Sequence, residues 1–336
     1  MNWRFKINWQ LIHKRFVQVF SVLFSIAVLL LAFNVNAQDI DNSWNSTSTV
    51  QAYWQTYEET DTRENAFNVG LYLLGDYLES DTIGFGYNYT LVTLNNNADI
   101  TEHLFYFTGR HAWFMDAFPG KLTLRLDAYR GEGVLAYRTN NPPTGMGKKF
   151  TSGGSNTTRE TTTISVIQPI ISYINYNKTF YLDLGYANSS YDQNPDANVS
   201  QLTPTLGFGW SQGYNWLQLR GYFISVDDTN GIWEDDTFQS LETMYTHWFA
   251  GTHVPQIDFM RLSVLSGKRV LTVDPDAASV HSTADEQIAG VAASIQWKLT
   301  KTMRLMAFVS ANQYKNDFIA DEYDSQLVYL NLQHDL

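Results

Sequence analysis

The chain has 336 residues, a formal net charge of −12 and no cysteine. The acidic balance argues against nucleic acid, whose phosphates attract basic surfaces, and the missing cysteine excludes disulfides and thiolate metal sites. Aromatic residues reach 15 % while charged residues are only 17 %, which favours one large aromatic-rich sheet structure over two ordinary domains.

Residues 1–37 read as a secretory signal. Arg4, Lys6, Lys14 and Arg15 give a positive start, an apolar run follows from Val17 to Phe33, and Val35-Asn36-Ala37 supplies a small-residue cleavage site. The alternative is an uncleaved anchor, since the apolar run is slightly long for a signal peptide. Against it, no stop-transfer charges follow and polar sequence begins at once. The leader carries four basic residues and no acidic ones. The 22 basic and 34 acidic residues of the whole chain therefore become 18 against 34, a formal charge of −16. Such a surface suits cations or divalent-bridged headgroups.

Downstream, side chains alternate with period two in segment after segment. Ile83, Phe85, Tyr87, Tyr89 and Leu91 alternate with Gly84, Gly86, Asn88 and Thr90. Leu122, Leu124 and Leu126 alternate with Thr123, Arg125 and Asp127; Leu206, Phe208 and Trp210 with Gly207, Gly209 and Ser211; Val291, Ala293, Ile295 and Trp297 with Ala292, Ser294, Gln296 and Lys298. Fourteen such segments are predicted, starting near Ser48, Ala66, Thr82, Glu102, Lys121, Thr161, Thr179, Ser200, Asn215, Thr237, Gln256, Gln287, Met303 and Ser325. Twelve and sixteen are the neighbouring counts. Connections alternate short and long. Pro169 and Pro204 fall inside segments, and the alternation slips at Gln168, so a β-bulge is expected there.

No apolar run after the leader is long enough for a transmembrane helix. A chain that crosses lipid without one must close its sheet. Segments of this length and the short/long rhythm predict an all-β, antiparallel transmembrane barrel over residues 38–336, with both termini periplasmic. A soluble β-sandwich also has short alternating strands, but its second face would form a core layer, and here that face is small or polar.

These features together resemble the bacterial outer-membrane β-barrel class, porin-like and without a specific family. The final segment, with Val328, Leu330 and Leu332 on one face, resembles that class's C-terminal strand, though Leu336 stands where an aromatic is usual and His334 interrupts the face. Fourteen strands also suggest the fatty-acid transporters, but between Ala37 and Ser48 there is no room for their N-terminal plug, nor for a periplasmic domain. The resemblance implies the outer membrane as location, and its lipid and lipopolysaccharide as partners.

If the apolar face meets lipid, the other lines a lumen. That places Arg110, Arg125, Asp127, Asp183, Arg220, Glu242, Arg261 and Arg304 inside, with Lys298 near a rim and Asp76 a weaker member. They read either as a selective constriction or as structural ion pairs. Arg125 and Arg220 are expected to pair across the barrel with Asp127 and Glu242, because an unpartnered arginine there would be costly. Tyr53, Tyr57, Tyr129, Tyr181, Trp216 and Tyr222 also fall inward, where rings can stack on sugars or simply pack.

The long connections are acidic. Asp274, Asp276, Asp285 and Glu286 are weak candidates for Ca²⁺, but they match no EF-hand and a solvated external surface accounts for them. No metal site or cofactor is assigned. The exception in charge is the segment from Arg138 to Glu160, with Lys148, Lys149 and Arg159. It could enter the lumen or reach a partner. An enzyme is not expected: His281 beside Ser282 has no accompanying nucleophile motif. The leading expectation is a passive channel for small solutes. The alternative is a non-conducting adhesin or the barrel partner of an export or assembly machine.

Overall fold

The structure is a computed structural model. It describes residues 44–60, 62–95, 98–138, 157–192, 196–228, 233, 235–251, 253–276, 279–280, 285–316 and 321–336. Residues 1–37, where the sequence predicts a signal, and residues 139–156, the centre of the basic connection, lie outside them, as does His281.

Every element among the described residues is a strand: β1 (Trp44–Glu58), β2 (Arg63–Tyr77), β3 (Asp81–Leu94), β4 (Asp99–Met115), β5 (Gly120–Arg138), β6 (Thr157–Asn175), β7 (Phe180–Asp192), β8 (Ala197–Trp210), β9 (Asn215–Asp228), β10 (Thr237–Trp248), β11 (Gln256–Arg269), β12 (Val273–Asp274), β13 (Ser279–Val280), β14 (Glu286–Lys298), β15 (Met303–Asn316) and β16 (Asp321–Asp335). Fourteen of them close an antiparallel barrel in which each strand pairs with the next barrel strand along the chain, β11 with β14 included, and β1 pairs with β16. The closing register runs from Thr47 opposite Asp335 to Glu58 opposite Asp324. No barrel edge is therefore left without hydrogen bonds, as a lipid environment requires. β12 and β13 form a separate two-stranded pair inside the β11–β14 connection.

Alternation decides facing. Phe85 and Phe105 are each 59 % exposed, and Leu73, Leu124, Leu184 and Leu262 are also exposed on the outer wall. Their neighbours Tyr72, Leu104 and Tyr106 are buried within. A soluble sheet would hide the first group; a membrane barrel presents it to acyl chains. The tight turns sit at one end. Leu78, Glu79, Lys178, Ser211 and Gln212 adopt positive φ there, and Gly213 does so at +86°.

The bulge expected at Gln168 is absent. Ile167 opposite Asn188 and Ile170 opposite Gly185 keep one register across β6–β7, and β5–β6 is continuous through Pro169. Pro169 withholds a ladder hydrogen bond without adding a residue, and Pro204 interrupts β8–β9 in the same way. Irregular register lies instead at Arg63/Asn65, Ile257/Phe259, Ser266/Arg269 and Gln287/Ala289. The last two bracket the connection that carries β12 and β13.

Candidate functional site: a lumen occupied by its own loop

The lumen has three layers. At the short-turn end, half-exposed ion pairs line the rim. Arg110 bonds Asp76 at 2.9 Å and Thr82 at 2.8 Å; Arg304 bonds Asp335 at 2.6 Å; Lys298 bonds Asp258 at 2.8 Å. Both signs alternate around this mouth.

At mid-depth the sequence-predicted charges are all inward, but their pairing differs from expectation. Asp127 is fully buried and takes the forked guanidinium of Arg125 from its own strand, plus the Tyr106 hydroxyl at 3.1 Å. A two-residue offset on one face brings the pair together, so no crossing of the barrel is needed. Arg220 does not bond Glu242, although the two are register partners. It donates to Asp276 at 2.9 Å and lies 3.9 Å from Asp274. Glu242 instead accepts the Tyr222 hydroxyl at 3.0 Å, and Asp183 accepts that of Tyr181 at 3.0 Å. Arg261 bonds Thr246 at 3.1 Å and lies over the Phe259 ring.

Asp274 and Asp276 thus do not lie on an external surface. The described part of the β11–β14 connection, residues 270–276 and 279–280, turns into the barrel and packs in the layer beyond the charges. Val270, Leu271, Val273 and Val280 are buried in one cluster with wall residues that include Leu104, Ile164, Tyr191, Val199, Tyr222 and Ile224. Polar contacts fix the loop's depth. Gln201 donates to the Val273 carbonyl at 2.8 Å and accepts its N–H at 3.0 Å, as a neighbouring strand would. The Tyr191 hydroxyl donates to the Leu271 carbonyl at 3.3 Å, and Arg125 to that of Pro275 at 2.6 Å. Confinement inside the barrel raises the Asp276 carboxyl, but Arg220, followed by Arg261, outweighs it and holds the group below its usual range.

The ends of this segment are tied as well. Asp285 pairs with Arg63 of β2, and Glu286 lies 3.1 Å from Lys268. All four calcium candidates therefore face basic side chains. Among the described residues, no group of three or more His, Cys, Asp or Glu is arranged to hold a metal. His103, His111 and His247 contact Tyr87, Asp81 and Asn215 respectively.

Gln201, Tyr191, Arg63 and Lys268 were not singled out from the sequence. Alternation puts Gln201 and Tyr191 inside, because Leu202 and Tyr186 point out. Nothing local says that a loop backbone will meet them.

A closed antiparallel barrel, apolar outside and charged within, defines the outer-membrane β-barrel class. No protein-family model matches the chain, and no curated protein matches its sequence. Several solved structures are similar in fold, three of them as follows. One is a FadL homologue of Pseudomonas aeruginosa, with 12 % identity, 88 % of this chain and 90 % of that chain covered, and a TM-score of 0.49. Another is the CymD monoaromatic hydrocarbon channel, with 6 % identity, 87 % and 88 % covered, and a TM-score of 0.48. The third is an outer membrane channel from Pseudomonas putida F1, with 10 % identity, 90 % and 99 % covered, and a TM-score of 0.46. Likeness at this level concerns the barrel alone and carries no solute across.

Proposed function

We propose that the protein is exported by a cleaved leader at residues 1–37 and resides in the outer membrane. There it acts as a channel for small solutes that rests closed on its own β11–β14 loop. One observation carries this reading: the loop is docked by side-chain contacts instead of being part of the barrel ladder. Arg220, Arg125, Gln201 and Tyr191 reach it from four strands, yet the barrel closes without it. An element of this kind can leave while the wall stays intact. Below it, a rim lined with both signs of charge suits a wet path.

The apolar packing of the outer layer favours a second reading, in which the loop is a permanent filler and the protein anchors a surface or assembly partner. Replacing residues 271–284 by a short Gly/Ser link separates the two. In planar bilayers the native protein should open rarely and the replaced form should conduct steadily. A replaced form that still migrates as a folded barrel on a gel, but stays electrically silent, would remove the channel reading.

A further inference from the structure

On the inner wall between the rim and the loop, one row of the sheet combines an aromatic platform with a cation that forms no ion pair among the described residues. Trp216 on β9, Thr246 on β10 and Arg261 on β11 are consecutive register partners. Adjacent strands lie about 4.8 Å apart, so Trp216 and Arg261 are roughly 10 Å apart at their backbones. The Arg261 guanidinium leans back over the intervening Thr246, with Nε 3.1 Å from its hydroxyl. That brings the charge towards the indole.

The indole itself is laid against the wall by two glycines. A Cβ at Gly207 would fall 2.7 Å from Trp216 Cζ2, and one at Gly209 would fall 2.7 Å from Cε3. Only bare backbone admits the ring there. The Tyr181 ring follows at 6.5 Å. The Phe259 ring of the same strand lies 5.7 Å from the guanidinium, and the Trp248 ring lies 6.3 Å from that of Phe259.

Arg261 differs from the other inward arginines of the mid-layer. Arg125 and Arg220 each hold a carboxylate. Among the described residues Arg261 forms no ion pair, and its one hydrogen bond uses Nε. Its two terminal nitrogens are left for something else, a forked pair of donors matched to a carboxylate. The facing charges are Asp276, which Arg220 engages, and Asp183, which accepts Tyr181.

We infer that Trp216 and Arg261 form a binding site for a small ring-bearing carboxylate, with the ring stacked on the indole and the carboxylate on the guanidinium. The inference deepens the channel reading and rests on it for how solute reaches the site. It names the class of cargo. The ring is aromatic or a pyranose, since both have an apolar face for stacking, and the experiment distinguishes them.

Calorimetry on the purified full-length barrel in detergent would use benzoate and glucuronate as probes, with benzyl alcohol and glucose as their neutral counterparts. At least one carboxylate should bind, and bind more tightly than its neutral counterpart. Which one binds tells the aromatic source from the sugar source. Arg261→Gln should weaken that binding by about tenfold or more, the worth of a charge-assisted hydrogen bond. Trp216→Leu should weaken it as well, and Arg261→Lys should restore part of it. Each variant is first checked for heat-resistant migration as a folded barrel, with Arg261→Lys covering the case in which the glutamine variant misfolds. Equal affinity for neutral probes, no binding of either carboxylate, or unchanged affinity in Arg261→Gln would overturn the proposal. Because binding is read without current, a site that binds in a barrel that never conducts would sink the channel reading and leave the site standing.

Discussion

Arg220 joins the barrel wall to the loop inside it. Its side chain is almost fully buried, whereas that of Asp276 is about half exposed at 48 %. Water on one side of the pair reduces its worth to about 1–2 kcal/mol. Arg220→Gln should therefore raise the undocked population of the loop about five- to thirtyfold, seen as more frequent openings in bilayer recordings. Acid should act in the same direction on the native protein. Asp276 faces Arg220 on β9, Arg261 on β11 and Arg125 on β5, with Asp274 beside it and Asp183 nearby on β7. Its carboxyl is held below the usual value of about 4, so the docking contribution is complete above that value. It is lost only as pH falls through the lowered one. Openings should be constant around neutrality and rise in strong acid; a rise centred near pH 6–7 would assign the response to another group.

At the scale of elements, the loop's entry is set where β11 leaves its register. Between Ser266 and Arg269 the pairing with β14 shifts, and Gly267 sits there at φ +100°. A Cβ on Gly267 would lie 2.5 Å from the Gln239 carbonyl oxygen and 2.8 Å from Ser240 Cα, both backbone atoms that cannot swing aside. Gly267→Ala should cost about 1–3 kcal/mol and lower the temperature at which the folded band disappears on a gel. Gly133→Ala is the control, because its nearest neighbour would be 3.9 Å away. A larger loss in the control would place the strain elsewhere. Alternation along β11 gives no sign of the bulge at Ser266/Arg269, whereas the slip at Gln168 predicts one that the register lacks. The reason is physical. A proline inside a strand announces a missing donor, but a missing donor needs no extra residue. The true extra residue in β11 is visible only as a mismatch with its partner, β14.

For the whole molecule, the outer wall is a solvent-facing surface for lipid and the inner wall is a core. Trp113 and Trp210 are each 45 % exposed on the outside, whereas Trp216 lies flat on the inside. In vesicles of brominated phospholipid, Trp113→Phe and Trp210→Phe should each remove part of the quenchable fluorescence, and Trp216→Phe should not. Quenching that depends on Trp216 would reverse the facing of β8 and β9. It would also remove the row on which Trp216 and Arg261 meet.

The barrel is legible in the chain before any contact is known. Strand count and facing follow from period-two alternation, because a pleated strand sends neighbouring side chains to opposite faces, and the end with tight turns follows from the rhythm of short and long connections. Arg125 and Asp127 meet through local spacing on one strand, but which groups meet the loop depends on tertiary packing. Arg220 and Glu242 are opposite one another on adjacent strands, yet Arg220 bonds Asp276, more than fifty residues on in the chain. Facing is a local property of the backbone, whereas the path of a connection depends on what it finds to bury against. Val270, Leu271, Val273 and Val280 are apolar enough to leave water, but only the closed barrel offers them a wall of Leu104, Ile164, Val199 and Ile224. Only after the loop has entered does Asp276 come within reach of Arg220.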